Sequence, residues 1–182
     1  MRDDEEFTLV FNENYSGLCR FLEGMTGRRS VAQELAQECF LRLYQMRSDR
    51  APGEEARFWL YRVARNLALN EIKRRNGRLR LVEKVIDIFR PTRANPEEQC
   101  EAEERAAMVR RMFNCLPEHQ RAALLLREGE EMSYAEIAGT LGITESKVKV
   151  DIFRARQALR AKWNDATETP AALKDERVER GC

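Results

Sequence analysis

The stretch 133–162, SYAEIAGTLGITESKVKVDIFRARQALRAK, leaves few folds open. Ser133 and Glu136 stand at the S-x-x-E spacing of a capping box. The hydroxyl accepts from the Glu136 backbone N–H while the carboxylate reaches back to the Ser133 N–H. Tyr134, Ile137, Ala138 and Leu141 follow at i, i+3, i+4 and i+7, one face of a helix. Gly142 suits a left-handed C-terminal cap, and Thr144 suits the N-cap of a second helix. On that helix Val148, Ile152, Ala155 and Leu159 form an apolar stripe. Lys147, Lys149, Arg154, Arg156, Arg160 and Lys162 lie off it, against a single acid, Asp151. Two helices joined by a glycine turn, the second apolar on one side and basic on the other, have the form of a helix-turn-helix. In that form the second helix enters the major groove of DNA. The alternative is a solvated basic helix on the surface of a bundle.

The remainder of the chain also reads as helix, with no strand-like alternation. Phe7, Val10, Phe11, Leu18, Phe21, Leu22 and Met25 predict a first amphipathic helix ending near Gly27. Val31, Leu35, Cys39 and Leu43 predict a second, with Ser30 as its N-cap. Pro52 and Gly53 mark a loop over 48–53. A third helix over 56–75 turns Leu60, Val63, Ala64, Leu67 and Ile72 inward and ends at Gly77. Residues 78–104 lose clear periodicity, and Pro91 and Pro96 interrupt any helix there. Asn95-Pro96-Glu97-Glu98 looks like a helix start, continued by Val109, Met112, Phe113 and Leu116 up to Pro117. A further helix covers 119–127.

The expected fold is therefore all-α: two small helical domains joined by a flexible linker, the second containing the helix-turn-helix. The boundaries are 1–77, a linker over 78–104, 105–164, and a polar tail over 165–182.

Total charge is uninformative, because 32 basic residues face 31 acidic ones. Its distribution is not. The first 25 residues are acid-rich, and basic clusters occupy 57–80 and 147–162. Two separated clusters suggest two contacts on one extended partner. The five cysteines have no C-x-x-C spacing and His119 is the only histidine, so no structural metal is expected. Cys39 lies on an apolar helical face and reads as a small core residue, and Cys182 as an exposed thiol. The chain shows no signal peptide and no apolar run long enough to span a bilayer, so the expectation is a cytoplasmic protein without membrane insertion.

The second basic cluster is mixed with aromatics. In ARFWLYRVARNLALNEIKRRNGR (56–78), Phe58, Trp59 and Tyr61 interleave with Arg57, Arg62, Arg65, Lys73, Arg74, Arg75 and Arg78. Asn66 and Asn70 add amides. Cations neutralise phosphates, aromatics stack on unpaired bases, and amides read base edges. Against this, Trp59 and Tyr61 also suit the core or boundary of a small helical domain.

These segments together resemble a bacterial RNA polymerase sigma factor of the extracytoplasmic-function (ECF) group, in the sigma-70 family. AQELAQECFLRLY (32–44) is similar to region 2.2 of that family. WLYRVARNLALNEIKRR (59–75) resembles regions 2.3 and 2.4, and LPEHQRAALLLREGEEMSYAEIAGTLGITESKVKVDIFRARQALR (116–160) resembles region 4. The match covers most of 7–162 in the family's order.

The resemblance implies a transcription initiation factor that recruits core RNA polymerase to a promoter and opens the DNA. It implies that Glu34, Gln37, Glu38 and Arg42 bind the clamp coiled coil of the largest polymerase subunit, with a further contact of the factor on the flap. It implies that Trp59, Arg62 and Asn66 lie at the site where a flipped −10 base is captured, and that Lys73, Arg74 and Arg75 hold phosphates. It places Ser146, Lys147, Lys149, Asp151, Phe153, Arg154 and Arg156 at the −35 element. Relatives often carry a small residue and then a basic one where this chain has Val150-Asp151. An acid facing phosphates would be repelled, so Asp151 either accepts from a cytosine amino group or sits off the DNA. Asp151→Ala is expected to change base preference within the −35 element.

No nucleophile–base pair, phosphate-binding glycine loop or metal set is visible, so the chain is not expected to be an enzyme or to need a cofactor. By resemblance, an anti-sigma factor would clamp regions 2 and 4. Two other readings remain: a stand-alone helix-turn-helix regulator, and a sigma mimic that sequesters an anti-sigma factor. The first leaves 59–75 without a role. The known mimics lose the basic groups on their DNA faces and carry a receiver domain, whereas both basic clusters are kept here.

Overall fold

The computed structural model describes residues 2–46, 55–86, 108–109 and 111–172, with side chains for 4–46, 55–77, 108–109 and 111–164. The described residues are helical, with no strand among them. Three helices build the first half: α1 (Arg2–Thr26), α2 (Arg29–Gln45) and α3 (Glu55–Ile86). Three more build the second: α4 (Glu118–Glu128), α5 (Tyr134–Leu141) and α6 (Glu145–Ala172), with a short helical stretch at 111–114 before them.

α1 buries Leu18, Phe21, Leu22 and Met25 against Ala32, Ala36, Cys39, Phe40 and Leu43 of α2. α3 closes the bundle with Leu60, Ala64, Ala68 and Ile72. Burial pushes the Cys39 thiol up to about 12, which fits a core residue rather than a reactive one. An aromatic ladder seals the end of the bundle. Phe11 stacks on Tyr15 at 4.9 Å and lies 4.8 Å from Phe40, and Phe7 meets Phe40 edge-on.

Two predicted boundaries move. Ser30 lies inside α2, and the N-cap position falls on Arg28, with no side-chain cap. Instead the Thr26 hydroxyl accepts from the Arg28 N–H at 3.4 Å, after Gly27 turns the chain at φ 72°. Gly77 does not end α3, which continues to Ile86 through the start of the expected linker. Glycine in a helix costs only about 1 kcal/mol relative to alanine, and the neighbouring arginines and leucines are good helix formers. The loop at 48–53, the helix start at Pro96, Cys100 and Cys182 lie outside the described residues.

The helix-turn-helix forms as its sequence dictates. Ser133 Oγ accepts from Glu136 N at 3.2 Å, and Glu136 Oε2 accepts from Ser133 N at 2.7 Å. Those hydrogen bonds hold the Glu136 carboxyl below the ordinary carboxylate range. Gly142 takes the left-handed conformation at φ 68°, ψ 37°. Thr144 Oγ1 accepts from Lys147 N at 3.3 Å and starts α6.

The two halves are packed together, and their buried side chains form one continuous cluster. α4 lies against α1 where Gly24 admits Leu125: a Cβ at Gly24 would stand 2.7 Å from Leu125 Cδ2. Arg121 of α4 is buried. It donates to the carbonyls of Met25 at 2.7 Å, Leu116 at 3.0 Å and Asn114 at 3.1 Å. Burial lowers its pKa, so the carbonyls hold a cation that has lost much of its hydration.

Candidate nucleic-acid interface

The two basic surfaces have different fates. On α3, Tyr61 is fully buried, its ring edge-on to Phe21 at 5.4 Å. Its hydroxyl donates to the Glu130 carboxylate. Burial and that carboxylate push its pKa far above the usual phenol range. Tyr61 is therefore a core residue, not a base platform. Trp59 is half-buried against the same core.

Arg62 is exposed, but its guanidinium is engaged by the second half. Nη2 donates to the Gly139 carbonyl at 2.7 Å and Nε to the Thr140 carbonyl at 3.4 Å. These are orphan carbonyls at the C-terminal end of α5, where the helix dipole favours a cation. One turn back, Arg57 donates to the Glu130 carbonyl at 2.6 Å. Glu130 is thus held by Tyr61, by Arg57, and by Arg20 at 3.9 Å. Its carboxylate presses onto α1 at Gly17, where a Cβ would come within 2.6 Å of Glu130 Oε2. The turn that delivers it is strained, with Glu131 in the left-handed region at φ 54°.

Further along α3, Asn66, Lys73 and Arg74 are exposed, with Arg74 paired to Glu71 at 2.6 Å. Arg75 is half-buried and donates to the Thr26 carbonyl at 3.3 Å. The predicted −10 residues thus share α3, but Arg62 and Arg75 each donate to main-chain carbonyls within the protein.

α6 divides by burial. Val148, Ile152 and Ala155 are buried, while Ser146, Lys149, Val150, Phe153 and Arg154 point outward. Phe153 is 59% exposed and Val150 42%. Two large apolar side chains in water, one turn apart on a basic helix, are suited to thymine methyl groups. Lys149 lies 5.6 Å from the centre of the Tyr134 ring, and Arg156 pairs with Glu128, which raises its pKa. Of the two roles expected for Asp151, its full burial favours the one that sits off the DNA.

On α2, Glu34, Gln37 and Arg42 are exposed and Glu38 is half-buried. They share one face, with Arg42 bonded to Glu38 at 2.7 Å. The sequence reading missed the apolar part of this face. Leu41 and Tyr44 are 52% and 50% exposed, and with Phe7, Phe11 and Phe40 they line an open groove beside Glu34, Gln37 and Glu38. The available signal was that both fall off the buried stripe of α2. Glu130 and Arg121 were missed because nothing local marks a residue that serves a distant helix.

Residues 10–78 match the family described as Sigma-70 region 2, and residues 106–159 match Sigma-70, region 4. The ECF RNA polymerase sigma factor SigM of Bacillus subtilis is 30% identical over 165 residues, covering 90% of this chain and 96% of that protein. The chain belongs to the ECF sigma factors. The ECF sigma factor SigL of Mycobacterium tuberculosis is 33% identical over 155 residues, 83% of this chain and 85% of its own. Two solved structures share the fold of this sigma factor at 20% identity. RpoE of Bartonella quintana, in complex with the anti-sigma factor NepR, has a TM-score of 0.67 and covers 88% of this chain and 98% of its own. CnrH, in complex with the cytosolic domain of CnrY, has a TM-score of 0.65 and covers 87% and 88%. The region 2 match gives 59–75 a place that a stand-alone helix-turn-helix regulator would not. Among the described residues no helix is long and apolar enough to cross a membrane, and no cluster could hold a metal ion.

Proposed function

We propose that this sigma factor carries core RNA polymerase to promoters through a −10 and a −35 element, and that the packed arrangement of its two halves is the resting form. The observation that carries this reading is the engagement of Arg62 by the Gly139 and Thr140 carbonyls. While Nε and Nη2 of Arg62 donate to α5, the guanidinium is turned toward region 4, so on this reading region 4 leaves region 2 before Arg62 serves a −10 base. The α2 face around Glu34, Gln37, Glu38 and Arg42, widened by Leu41 and Tyr44, takes the polymerase clamp helices. Lys73 and Arg74 take phosphates of the melted strand, while Trp59, Arg62 and Asn66 surround the captured base. Ser146, Lys149, Phe153, Arg154 and Arg156 take the −35 duplex.

An anti-sigma factor would stabilise the resting form, as the complexes of RpoE with NepR and of CnrH with CnrY suggest by analogy. The basic residues kept on both helices, Lys73 and Arg74 on α3 and Lys149, Arg154 and Arg156 on α6, favour DNA binding over the role of a sigma mimic. Catalysis belongs to the polymerase, and the chain works in the compartment where polymerase and DNA are found.

Run-off transcription with purified core polymerase on a pool of genomic promoter fragments tests the proposal. Transcripts that need this chain and start at a defined set of sites are expected, and they yield both promoter elements. Absence of such transcripts, together with salt-sensitive duplex binding by the chain alone, would overturn it.

A further inference from the structure

Asp151 is the anomaly of the reading helix. It is 0% exposed, in the stripe that α6 buries with Val148, Ile152 and Ala155. A buried carboxylate is costly unless polar or cationic side chains converge on it. Two side chains do. Lys147, one turn earlier on α6, donates from Nζ to Oδ1 at 2.5 Å. His119 of α4 brings Nε2 within 3.5 Å of the same oxygen. Oδ2 is also buried and makes no hydrogen bond among the described residues, so Oδ1 and its partners carry the site.

This arrangement decides where Lys147 points. Its ammonium reaches one turn forward along its own helix to Asp151, and although the side chain stays 45% exposed, its charge is compensated there. A cation in that state releases no counterion when DNA arrives, whereas a free lysine on a phosphate does. The outward strip of α6 is then Ser146, Val150 and Phe153, flanked by Lys149 and Arg154.

We propose that Asp151 is a positioning residue of the −35 interface: it withdraws Lys147 from the phosphate-binding set and ties the first turns of α6 to α4 through His119. The helix then relies on its uncharged strip for sequence and on fewer cations for affinity. Removing the carboxylate releases Lys147 and exchanges specificity for general attraction to DNA. This rests on the −35 reading of α6 proposed above.

The test uses holoenzyme assembled from core polymerase and the full chain. Binding to one of the promoters found by run-off transcription is measured against salt, beside a duplex of equal length with a scrambled −35 element. Asp151→Asn keeps the shape and removes the charge. It is expected to steepen the slope of log K against log salt by about 0.9, the increment of one added phosphate contact. It should also tighten binding to the scrambled duplex more than to the promoter. Lys147→Met in the native background should leave the slope unchanged, and in the D151N background should return it to the native value. Loss of a buried anion's partner would not by itself produce that reversal.

A slope that falls by about 0.9 in K147M alone marks Lys147 as a direct phosphate contact and overturns the proposal. So does a D151N holoenzyme with native slope and native preference. Should D151N fail to fold, K147M still decides. If Arg154→Ala leaves promoter binding untouched as well, the −35 reading of α6 has failed, and not only this inference.

Discussion

The α3 surface and the α6 surface carry the same kinds of residue, arginines and aromatics on an amphipathic helix, yet only one is open to DNA. On α3 the phenol of Tyr61 and the guanidinium of Arg62 are used to hold the other half of the molecule. On α6 the corresponding outward residues, Phe153 and Arg154, are exposed. The difference teaches that residue type marks a surface able to bind something, while packing decides what occupies it. On the proposed function it also orders events: duplex reaches α6 while Arg62 is still engaged by α5.

The sharpest way to break this comparison is to undo the docking. Arg121→Met removes the buried donor to the Met25 carbonyl, the Arg121 bond that crosses between the halves, and should lower stability by roughly 1.5–3 kcal/mol, the worth of one charged hydrogen bond. Urea unfolding followed by circular dichroism measures it; a loss below about 1 kcal/mol would mean that Arg121 is incidental to the packing.

Arg62→Ala separates the two surfaces. Loss of about 1–3 kcal/mol of base contact should reduce transcription roughly 10-fold or more, while −35 binding stays native. Equal loss of both would show that the surfaces are not independent.

Tyr61→Phe is a milder probe. It leaves the core packed but removes one donor from the half-buried Glu130, and should weaken docking by about 1 kcal/mol. Dyes on α2 and α6 should then report a larger mean separation by energy transfer.

Ser133→Ala touches only the second half and should cost about 1 kcal/mol of helix-turn-helix stability. Its acid counterpart follows from Glu136, whose folded pKa is depressed. Its contribution is present above the ordinary carboxylate pKa of about 4.3 and is lost as pH falls through the lower folded value. In S133A, thermal melts should show a weaker acid dependence over that window.

Much of this was legible in the sequence, because the helix-turn-helix is written in local chemistry. Ser133, Glu136, Gly142 and Thr144 act within four residues of themselves, and each does what its type and spacing predict. The family likewise followed from three ordered segments. What could not be read is non-local. Asp151 stayed open between reading a base and sitting off the DNA, because spacing gives its position on α6 but not its burial or its contact with His119 of α4. Glu130 gave no local sign, since its partners Arg20, Arg57 and Tyr61 come from two other helices. Gly77 misled in the opposite sense: a residue that often stops helices sits within one, because good helix formers flank it on both sides.

Beside the Glu130 carboxylate and the shared apolar core, the docking between the halves uses main-chain acceptors. Arg57 and Arg62 donate to the carbonyls of Glu130, Gly139 and Thr140, and Arg121 donates to that of Met25. A side-chain substitution leaves such acceptors in place. On the proposed function, the outward strip of α6 can be rewritten residue by residue for a different promoter while the joint between the halves stays as it was, so address and lock are separately editable.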